Sequence, residues 1–406
     1  MIETNFSNLS KLLTKKLDIN EKKKDGIYFT PLNIINIHIK LLEPFIKNIK
    51  DVLEPSCGSC EYILKLNNIF SNLNITGIEL NKTIFESIKD LEKDNISLIN
   101  ANYLTHNFDK KFDLIIGNPP YFIMKKADVD NSYYNYFDGR PNIFILFIIK
   151  SLSLLNNKGI LTFVLPKNFL NCLYYDKTRK HIIENFTILN ILECSNDNFI
   201  DTNQETVIIV IQNKISKNIN TKYSIYISEY TIFGTEENII KLKKLYKNSK
   251  TLFDLDFKVN VGNIVWNQCK QDLTDDSSKT LLIYSSDINN NKLIIKDYSN
   301  EVKKNYINKE GKNEPLLVIN RGYGTGCYKF NYCIINENDD KKYLIENHLI
   351  CIRYNKNLSK KELIIKYKEI IKSFTNKKSE EFIKIYFGNN AINTTELCKI
   401  LPIYDI

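Results

Sequence analysis

At 406 residues the chain exceeds one typical domain, which excludes a single small module and points to two or three domains. Apolar residues make up 43% and charged residues 25%, the make-up of a globular protein with ample material for a core. The formal net charge of +9 permits a polyanionic partner and equally suits an ordinary basic enzyme.

The nine cysteines are scattered and odd in number, and no secretory n-region or h-region opens the sequence, so a reduced, intracellular compartment is expected. Cys57-x-x-Cys60 is the one close pair, and zinc would want a second. His38, His106, His181 and His348 lie far apart in the chain, so no metal site is expected. The longest apolar run, Ile143 to Ile149, stops at Lys150; it is too short to span a bilayer and reads as a buried helix. Heavy use of isoleucine, asparagine and lysine suggests an AT-rich bacterial or viral genome.

Residues 1–24 form a basic N-terminal segment in which six lysines between Lys11 and Lys24 face only Asp18 and Glu21. A solvated helix is the plain reading, a DNA-contacting arm the other. From Asp51 to Gln212 apolar strands alternate with helices. Asp51-Val-Leu is a short strand ending at Glu54-Pro55. A helix pattern covers Glu61 to Phe70, and Asn74-Ile-Thr-Gly-Ile-Glu79 is the next strand. Phe112-Asp-Leu-Ile-Ile116 ends at Gly117-Asn118-Pro119-Pro120. Pro141 opens an apolar helix to about Leu155, broken by Asn156-Asn157-Lys158-Gly159. Strands at Gly159 to Leu165 and Thr206 to Ile211 follow. Such alternation indicates a largely parallel sheet buried on both faces. The polar stretch Asn213 to Lys222 reads as a boundary. Beyond it come short strands, Asn-rich turns, the cluster Arg321-Gly-Tyr-Gly-Thr-Gly326 and a late helical stretch from Lys360 to Tyr386, the pattern of a separate α+β domain. The glycine cluster reads as a hairpin turn, since no amphipathic helix follows it.

Three polar segments stand at strand ends, where ligands bind in open α/β sheets. Glu54-Pro-Ser-Cys-Gly-Ser-Cys60 is a tight strand-to-helix turn in which Gly58 lets the backbone approach a ligand. It lacks two glycines of a GxGxxG loop, which argues against a pyrophosphate. Glu79, about 25 residues on, is placed to accept the ribose hydroxyls of an adenosine ligand. Asn118-Pro119-Pro120-Tyr121 is the strongest signal. Two prolines fix the backbone and remove two N–H donors, so the loop presents carbonyl oxygens rigidly beside the Asn118 amide and an aromatic face. That set suits a planar ring bearing an amino group; a bare rigid turn is the alternative.

Residues 24–212 resemble the amino-methyltransferases, and within them the TaqI-like, γ-type adenine-N6 DNA methyltransferases of restriction-modification systems. Tyr28-Phe29-Thr30-Pro31 is similar to their N-terminal cofactor motif, Glu54 to Cys60 to their EPxxGSG loop, and Gly77-Ile-Glu79 to their ribose-binding segment. Asn118 to Tyr121 matches NPPY, and Leu165-Pro166-Lys167-Asn168-Phe169-Leu170 a late strand-end motif. Phe199 stands in the place of a second base-stacking aromatic. Gly262-Asn-Ile-Val-Trp-Asn267, Asn320-Arg-Gly-Tyr323, Glu346-Asn-His-Leu349 and Thr395-Glu-Leu397 extend the resemblance over nearly the whole chain. Two positions depart from the pattern: Cys60 replaces the loop's final glycine, and Asn102 replaces an Asp that bonds the cofactor's adenine amino group.

The resemblance implies a Rossmann-like S-adenosylmethionine methyltransferase domain with a mostly parallel sheet at 25–213, and a C-terminal α+β target-recognition domain at 216–406. It implies a cofactor site of Tyr28, Thr30, Pro31, Glu54, Pro55, Ser56, Gly58, Glu79, Asn102, Tyr103 and Asn118. Asn118, Pro119, Pro120, Tyr121 and Phe199 are the catalytic set. The expected reaction methylates N6 of an adenine flipped out of double-stranded DNA. Basic groups among aromatics and amides in the second half nominate Asn267, Gln268, Lys270, Arg321 and Tyr323 for DNA. A monomer acting beside a separately encoded restriction endonuclease, with no membrane partner, is implied. The same pocket serves protein-glutamine and RNA methyltransferases, and a non-catalytic DNA-binding protein on this fold is the third reading.

Overall fold

The computed structural model describes residues 5–70, 72–194, 199, 204–298, 302–322, 326–387 and 391–404. The chain divides into two compact units, Met1–Ile240 and Lys241–Ile406.

In the first unit, α1 (Asn8–Lys16), α2 (Ile19–Asp25) and α3 (Leu32–Leu42) lead into β1 (Asp51–Glu54), α4 (Glu61–Ile69), β2 (Asn74–Glu79), α5 (Lys82–Ile88), β3 (Ile96–Asn100) and β4 (Phe112–Gly117). Then come α6 (Ile143–Ser153), β5 (Leu155–Pro166), α7 (Asp176–Asn185), β6 (Thr187–Cys194), β7 (Thr206–Gln212) and the hairpin β8 (Ser224–Ile227) and β9 (Tyr230–Phe233). The seven long-range strands form one sheet in the order β3-β2-β1-β4-β5-β7-β6. β3, β2, β1, β4 and β5 pair parallel, and β7 runs antiparallel between β5 and β6. The mostly parallel α/β fold expected from the sequence is therefore present.

Alternation along the strands sorts side chains to two faces. Val207, Ile209 and Ile211 of β7, with Leu161, Phe163 and Leu165 of β5, join the cluster that contains Phe144 to Ile148 of α6. Ile208 and Val210, with Ile160 and Val164, join the cluster of α3 and α4, including Ile34, Ile35, Ile63 and Leu66. A polar tie sits on the second face: buried His38 places Nδ1 2.9 Å from the Tyr62 hydroxyl and Nε2 2.5 Å from Thr162 Oγ1. Burial pushes its pKa down to about 3, so the ring is a neutral link between α3, α4 and β5. α6 is apolar on all sides because it is buried through Leu152 except at Lys150.

Two sequence expectations shift. Asn156 to Gly159 do not separate α6 from the next strand; β5 already begins at Leu155 and carries a register shift opposite Phe112 and Leu114, with Lys158 at φ 63°. Residues 216–240, read with the second half, pack in the first unit. Buried Asn220 donates to the Ile183 and Phe186 carbonyls and accepts from Ile188 N–H, while α7 binds β9 through Arg179. The polar run that suggested a domain break is a turn and a short helix, Lys217–Asn220, anchored by buried Asn220 and followed by a docked hairpin.

The N-terminal segment is docked too. Leu13 and Leu17 cluster with Phe29 and Ile84, while Lys15, Lys16, Lys23 and Lys24 stay exposed.

The second unit holds two four-stranded sheets. One orders Phe257–Val261, Leu349–Tyr354, Leu316–Asn320 and Tyr332–Ile335, all antiparallel. The other orders Leu273–Thr274, Tyr306–Ile307, Thr280–Ile283 and Tyr343–Ile345, with the last pair parallel. Helices Lys360–Phe374 and Lys377–Tyr386 complete an α+β unit.

Candidate active site

The carboxyl ends of β1, β2 and β4 bring the three polar segments of the first unit together. β1 delivers Glu54, which lies beside Gly117 at the end of β4: a Cβ on that glycine would stand 3.5 Å from Glu54 Cγ. Glu54 is buried, its Oε2 has no hydrogen-bond partner among the described residues, and burial with neighbouring acidic groups pushes its pKa well above the ordinary carboxyl value. Pro55 is buried; Ser56 Oγ donates to the Asn118 carbonyl at 3.2 Å. Gly58, at φ 51°, donates its N–H to Glu79 Oε2 at 2.9 Å, and Asn81 N–H binds Glu79 Oε1 at 2.7 Å. Each carboxylate oxygen keeps a lone pair for a further donor.

Cys60 adopts the left-handed conformation, φ 61° and ψ 23°, as the N-cap of α4. This is why the resembled loop carries glycine there: a left-handed L-residue costs roughly 1–2 kcal/mol. The small buried thiol satisfies the space but not the backbone preference.

Tyr28, Thr30 and Pro31 lie at the entry to α3. The Tyr28 carbonyl accepts from Asn118 Nδ2 at 3.2 Å, and Thr30 and Pro31 are buried. Asn118 is gripped at its other end by Tyr121, whose hydroxyl lies 2.5 Å from Asn118 Oδ1 and 2.7 Å from the Val164 carbonyl. One hydroxyl hydrogen thus has two acceptors. Pro119 is buried, and its carbonyl accepts no hydrogen bond among the described residues. Pro120 is partly exposed.

Gly26, which sequence reading passed over, is a structural requirement of this loop. At φ 66° it caps α2, and a Cβ there would lie 2.8 Å from Tyr121 N and 3.2 Å from Pro120 Cβ. Its position two residues before Tyr28 was the available signal. α1 adds a second support: Ser10 Oγ lies 2.8 Å from Ser59 Oγ and donates to Glu61 Oε1 at 3.0 Å.

Other nominated residues sit differently. Tyr103 is buried, with its hydroxyl 2.8 Å from Ser151 Oγ and its ring 4.9 Å from that of Phe147. Lys150 Nζ donates to the Leu104 and His106 carbonyls at 3.1 and 2.6 Å, holding the same loop. Asn102 is exposed, and its Oδ1 accepts from Leu104 N–H at 3.0 Å. With Oδ1 so engaged, the amide's other group is the donor Nδ2. Phe199 is only 4% exposed and belongs to the apolar cluster on the α3 and α4 face. Tyr121 packs against the opposite cluster, beside Phe144 at 6.0 Å. Any ring-stacking by Phe199 would require it to leave its cluster.

In the second unit Asn267, Gln268, Lys270 and Arg321 are exposed. Asn267 and Gln268 lie in the turn Trp266–Gln268, and Arg321 follows strand Leu316–Asn320. Tyr323 lies outside the described residues. Among the described residues no group of three or more His, Cys, Asp or Glu side chains could hold a metal, and no helix is long and apolar enough to cross a membrane.

A seven-stranded sheet with β7 reversed, a glycine turn after β1, a carboxylate ending β2 and an acceptor loop ending β4 define a Rossmann-like S-adenosylmethionine methyltransferase. Two buried carboxyl groups beside an open glycine turn suit the ribose hydroxyls and the cationic charge of that cofactor. Residues 7–200 match the model of the Eco57I restriction-modification methylase family. The type II methyltransferase M.CvrRI of Paramecium bursaria Chlorella virus XZ-6E is 27% identical over 409 residues, 98% of this chain and 99% of that one. The modification methylase CviBIII of Paramecium bursaria Chlorella virus NC1A is 28% identical over 408 residues, covering 98% and 97%. The type II methyltransferase M.AccI of Acinetobacter calcoaceticus is 28% identical over 270 residues, 59% of this chain and 50% of that one. These findings bear out the resemblance drawn from the motifs. The fold, the motifs and these matches together support a methyltransferase related to the restriction-modification methylases, with S-adenosylmethionine as its cofactor.

Two consequences for cofactor binding follow from this geometry. Burial raises the Glu79 pKa to about 7. The raised value means that Glu79 contributes stability to the unliganded fold below the ordinary carboxyl pKa of 4.5, and that this contribution is lost as pH rises through about 7. With Glu79 as the expected acceptor of the ribose hydroxyls, cofactor binding should run the other way, because those hydroxyls donate best to the ionised group. Affinity is expected to fall by up to tenfold per pH unit below about 7. Calorimetric titration across pH checks this, and Glu79→Gln should flatten the profile. The second expectation concerns Asn102→Asp. A carboxylate would keep the Leu104 N–H bond and offer a second acceptor in place of the amide donor, so cofactor binding should tighten, by roughly 1 kcal/mol. Weaker binding in the same titration would show that the amide NH2 makes a contact of its own.

Proposed function

We propose that the chain transfers the methyl group of S-adenosylmethionine to N6 of an adenine flipped out of double-stranded DNA. The observation that carries this reading is the acceptor array at the end of β4: Asn118 Oδ1 and the Pro119 carbonyl on a doubly proline-stiffened loop, beside Tyr121.

An exocyclic amine conjugated with its ring is a poor nucleophile. Two acceptors bonding its two hydrogens draw the nitrogen toward tetrahedral geometry and free its lone pair. Asn118 Oδ1 has a second lone pair for this bond. The Tyr121 hydroxyl can also turn its hydrogen to the Val164 carbonyl, 2.7 Å away, leaving Asn118 Oδ1 wholly to the amine. The Asn118 amide cannot turn over freely, because Nδ2 is tied to the Tyr28 carbonyl. The cofactor supplies an activated sulfonium methyl, so positioning is the protein's main task. N6 is buried in a duplex, which makes flipping necessary. The Tyr121 ring is the stacking surface on one side.

Lys241–Ile406 is assigned to target recognition, with Arg321, Asn267 and Gln268 for base edges and Lys270 for phosphate. This reading places the enzyme where DNA is, in a bacterial cell or a viral replication compartment, with a separately encoded endonuclease as the companion activity. The test is transfer of labelled methyl to duplex DNA, RNA and a translation release factor offered in parallel. Label in DNA supports the proposal; label in a release-factor glutamine alone would replace it with protein methylation.

A further inference from the structure

Trp266 is the chain's single tryptophan. It opens the turn Trp266–Gln268 in the second unit and is partly exposed, with Asn267, Gln268 and Lys270 exposed beside it. Two ammonium groups stand against its indole: Lys303 Nζ lies 5.3 Å and Lys270 Nζ 5.9 Å from the ring centroid. Lys303 is held by two more rings, 5.1 Å from the centroid of Tyr284 and 5.8 Å from that of Tyr298. Those rings are themselves fixed. Both are buried with centroids 5.0 Å apart, Tyr284 OH donates to the Lys304 carbonyl at 2.9 Å, and Tyr298 N–H bonds Asn305 Oδ1 at 3.0 Å.

Nearby lysines are neutralised. Lys304 pairs with Asp275 at 2.8 Å and Lys309 with Asp272 at 3.1 Å. Among the described residues Lys270 and Lys303 have no such carboxylate. An aromatic face attracts a cation through its quadrupole but does not cancel the charge. Two positive charges therefore stand on one platform with no carboxylate partner among the described residues, beside exposed amides. Three rings surround Lys303, and Lys270 stands against the same indole, so both ammonium groups keep their charge for an external anion.

We propose that Lys303 and Lys270, seated on Trp266, clamp the phosphate backbone of the DNA target, a contact separate from the residues that read base edges. This rests on the assignment of the second unit to DNA recognition. Phosphate contacts add affinity without sequence information and carry a salt dependence of about one counterion each.

The experiment titrates the full-length protein with mixed-sequence DNA duplexes at several salt concentrations, following Trp266 fluorescence and the anisotropy of a labelled duplex. The wild-type fluorescence should change on binding. Lys303→Met should weaken binding to every duplex alike and lower the slope of log affinity against log salt by about one, with Lys303→Arg restoring both. Lys270→Met, at an exposed side chain, should do the same and serves as the independent arm if loss of the ring contacts unfolds the first variant. Unchanged affinity and slope in the folded variants would overturn the proposal, as would a loss confined to one DNA sequence, which would mark a base contact. A wild-type protein that binds no duplex would overturn instead the DNA reading beneath it.

Discussion

Asn118→Ala is expected to reduce methyl transfer a hundredfold or more while cofactor affinity stays within about twofold of wild type, a loss of roughly 2–4 kcal/mol of transition-state stabilisation. The amide stands between Tyr28 and Tyr121, and its oxygen is one of two acceptors facing the target amine in the proposed reaction. Alanine removes that acceptor and lets the Tyr121 hydroxyl settle on the Val164 carbonyl. The turn after β1 keeps its link to this loop, which runs from Ser56 to the Asn118 main-chain carbonyl, while the bond lost to Tyr28 is to that residue's main-chain carbonyl and leaves its side chain in place. Single-turnover rates with labelled cofactor, set beside calorimetric binding of the same variant, separate the two effects. Near wild-type turnover would remove Asn118 from the chemistry.

The largest expected effect on stability is at Arg179. Its guanidinium is completely buried; Nε donates to the Thr231 carbonyl at 2.6 Å, and Nη1 donates to the Phe169 and Cys172 carbonyls at 2.8 Å each. Asp176, also buried, accepts from Thr231 N–H at 2.7 Å and from Lys180 at 2.7 Å. One side chain thus joins α7 to β9 and to the loop after β5. Arg179→Met keeps length and apolar bulk but strands three carbonyls and leaves Asp176 with less compensating charge. Breaking such a site from one side costs about 3–5 kcal/mol. For a unit of this size the unfolding temperature should fall on the order of 10 °C, read by scanning calorimetry. A loss below about 1 kcal/mol would show that water or a shifted main chain satisfies those carbonyls.

Local chemistry was legible in the sequence where a residue type has one use. Apolar runs at β5 and β7 are strands because both faces are buried, and NPPY stands out because two prolines leave only acceptors. What depends on distant contacts was not legible. The reversed β7 is fixed by pairing with β5 and β6, and hairpin β8–β9 joins the first unit through Asn220 and Arg179, none of which shows in composition. Gly26 is a plain helix cap until Tyr121 is seen against it. In the sequence Cys60 is only a departure from the loop's glycine pattern; its left-handed backbone explains the glycine. Phe199 and Tyr103 read as ligand-facing aromatics, yet both are buried in apolar clusters, since an aromatic side chain in sequence carries no mark of which face it turns to.

The central claim is that the acceptor loop of Asn118 to Tyr121 methylates adenine in DNA. The most direct measurement incubates the full chain with S-adenosylmethionine and mixed-sequence duplex DNA, then maps modified bases at single-nucleotide resolution. N6-methyladenine at one recurring short sequence, absent with Asn118→Ala, is the predicted result. Methyl groups on cytosine, or none in DNA while label enters protein or RNA, would contradict it.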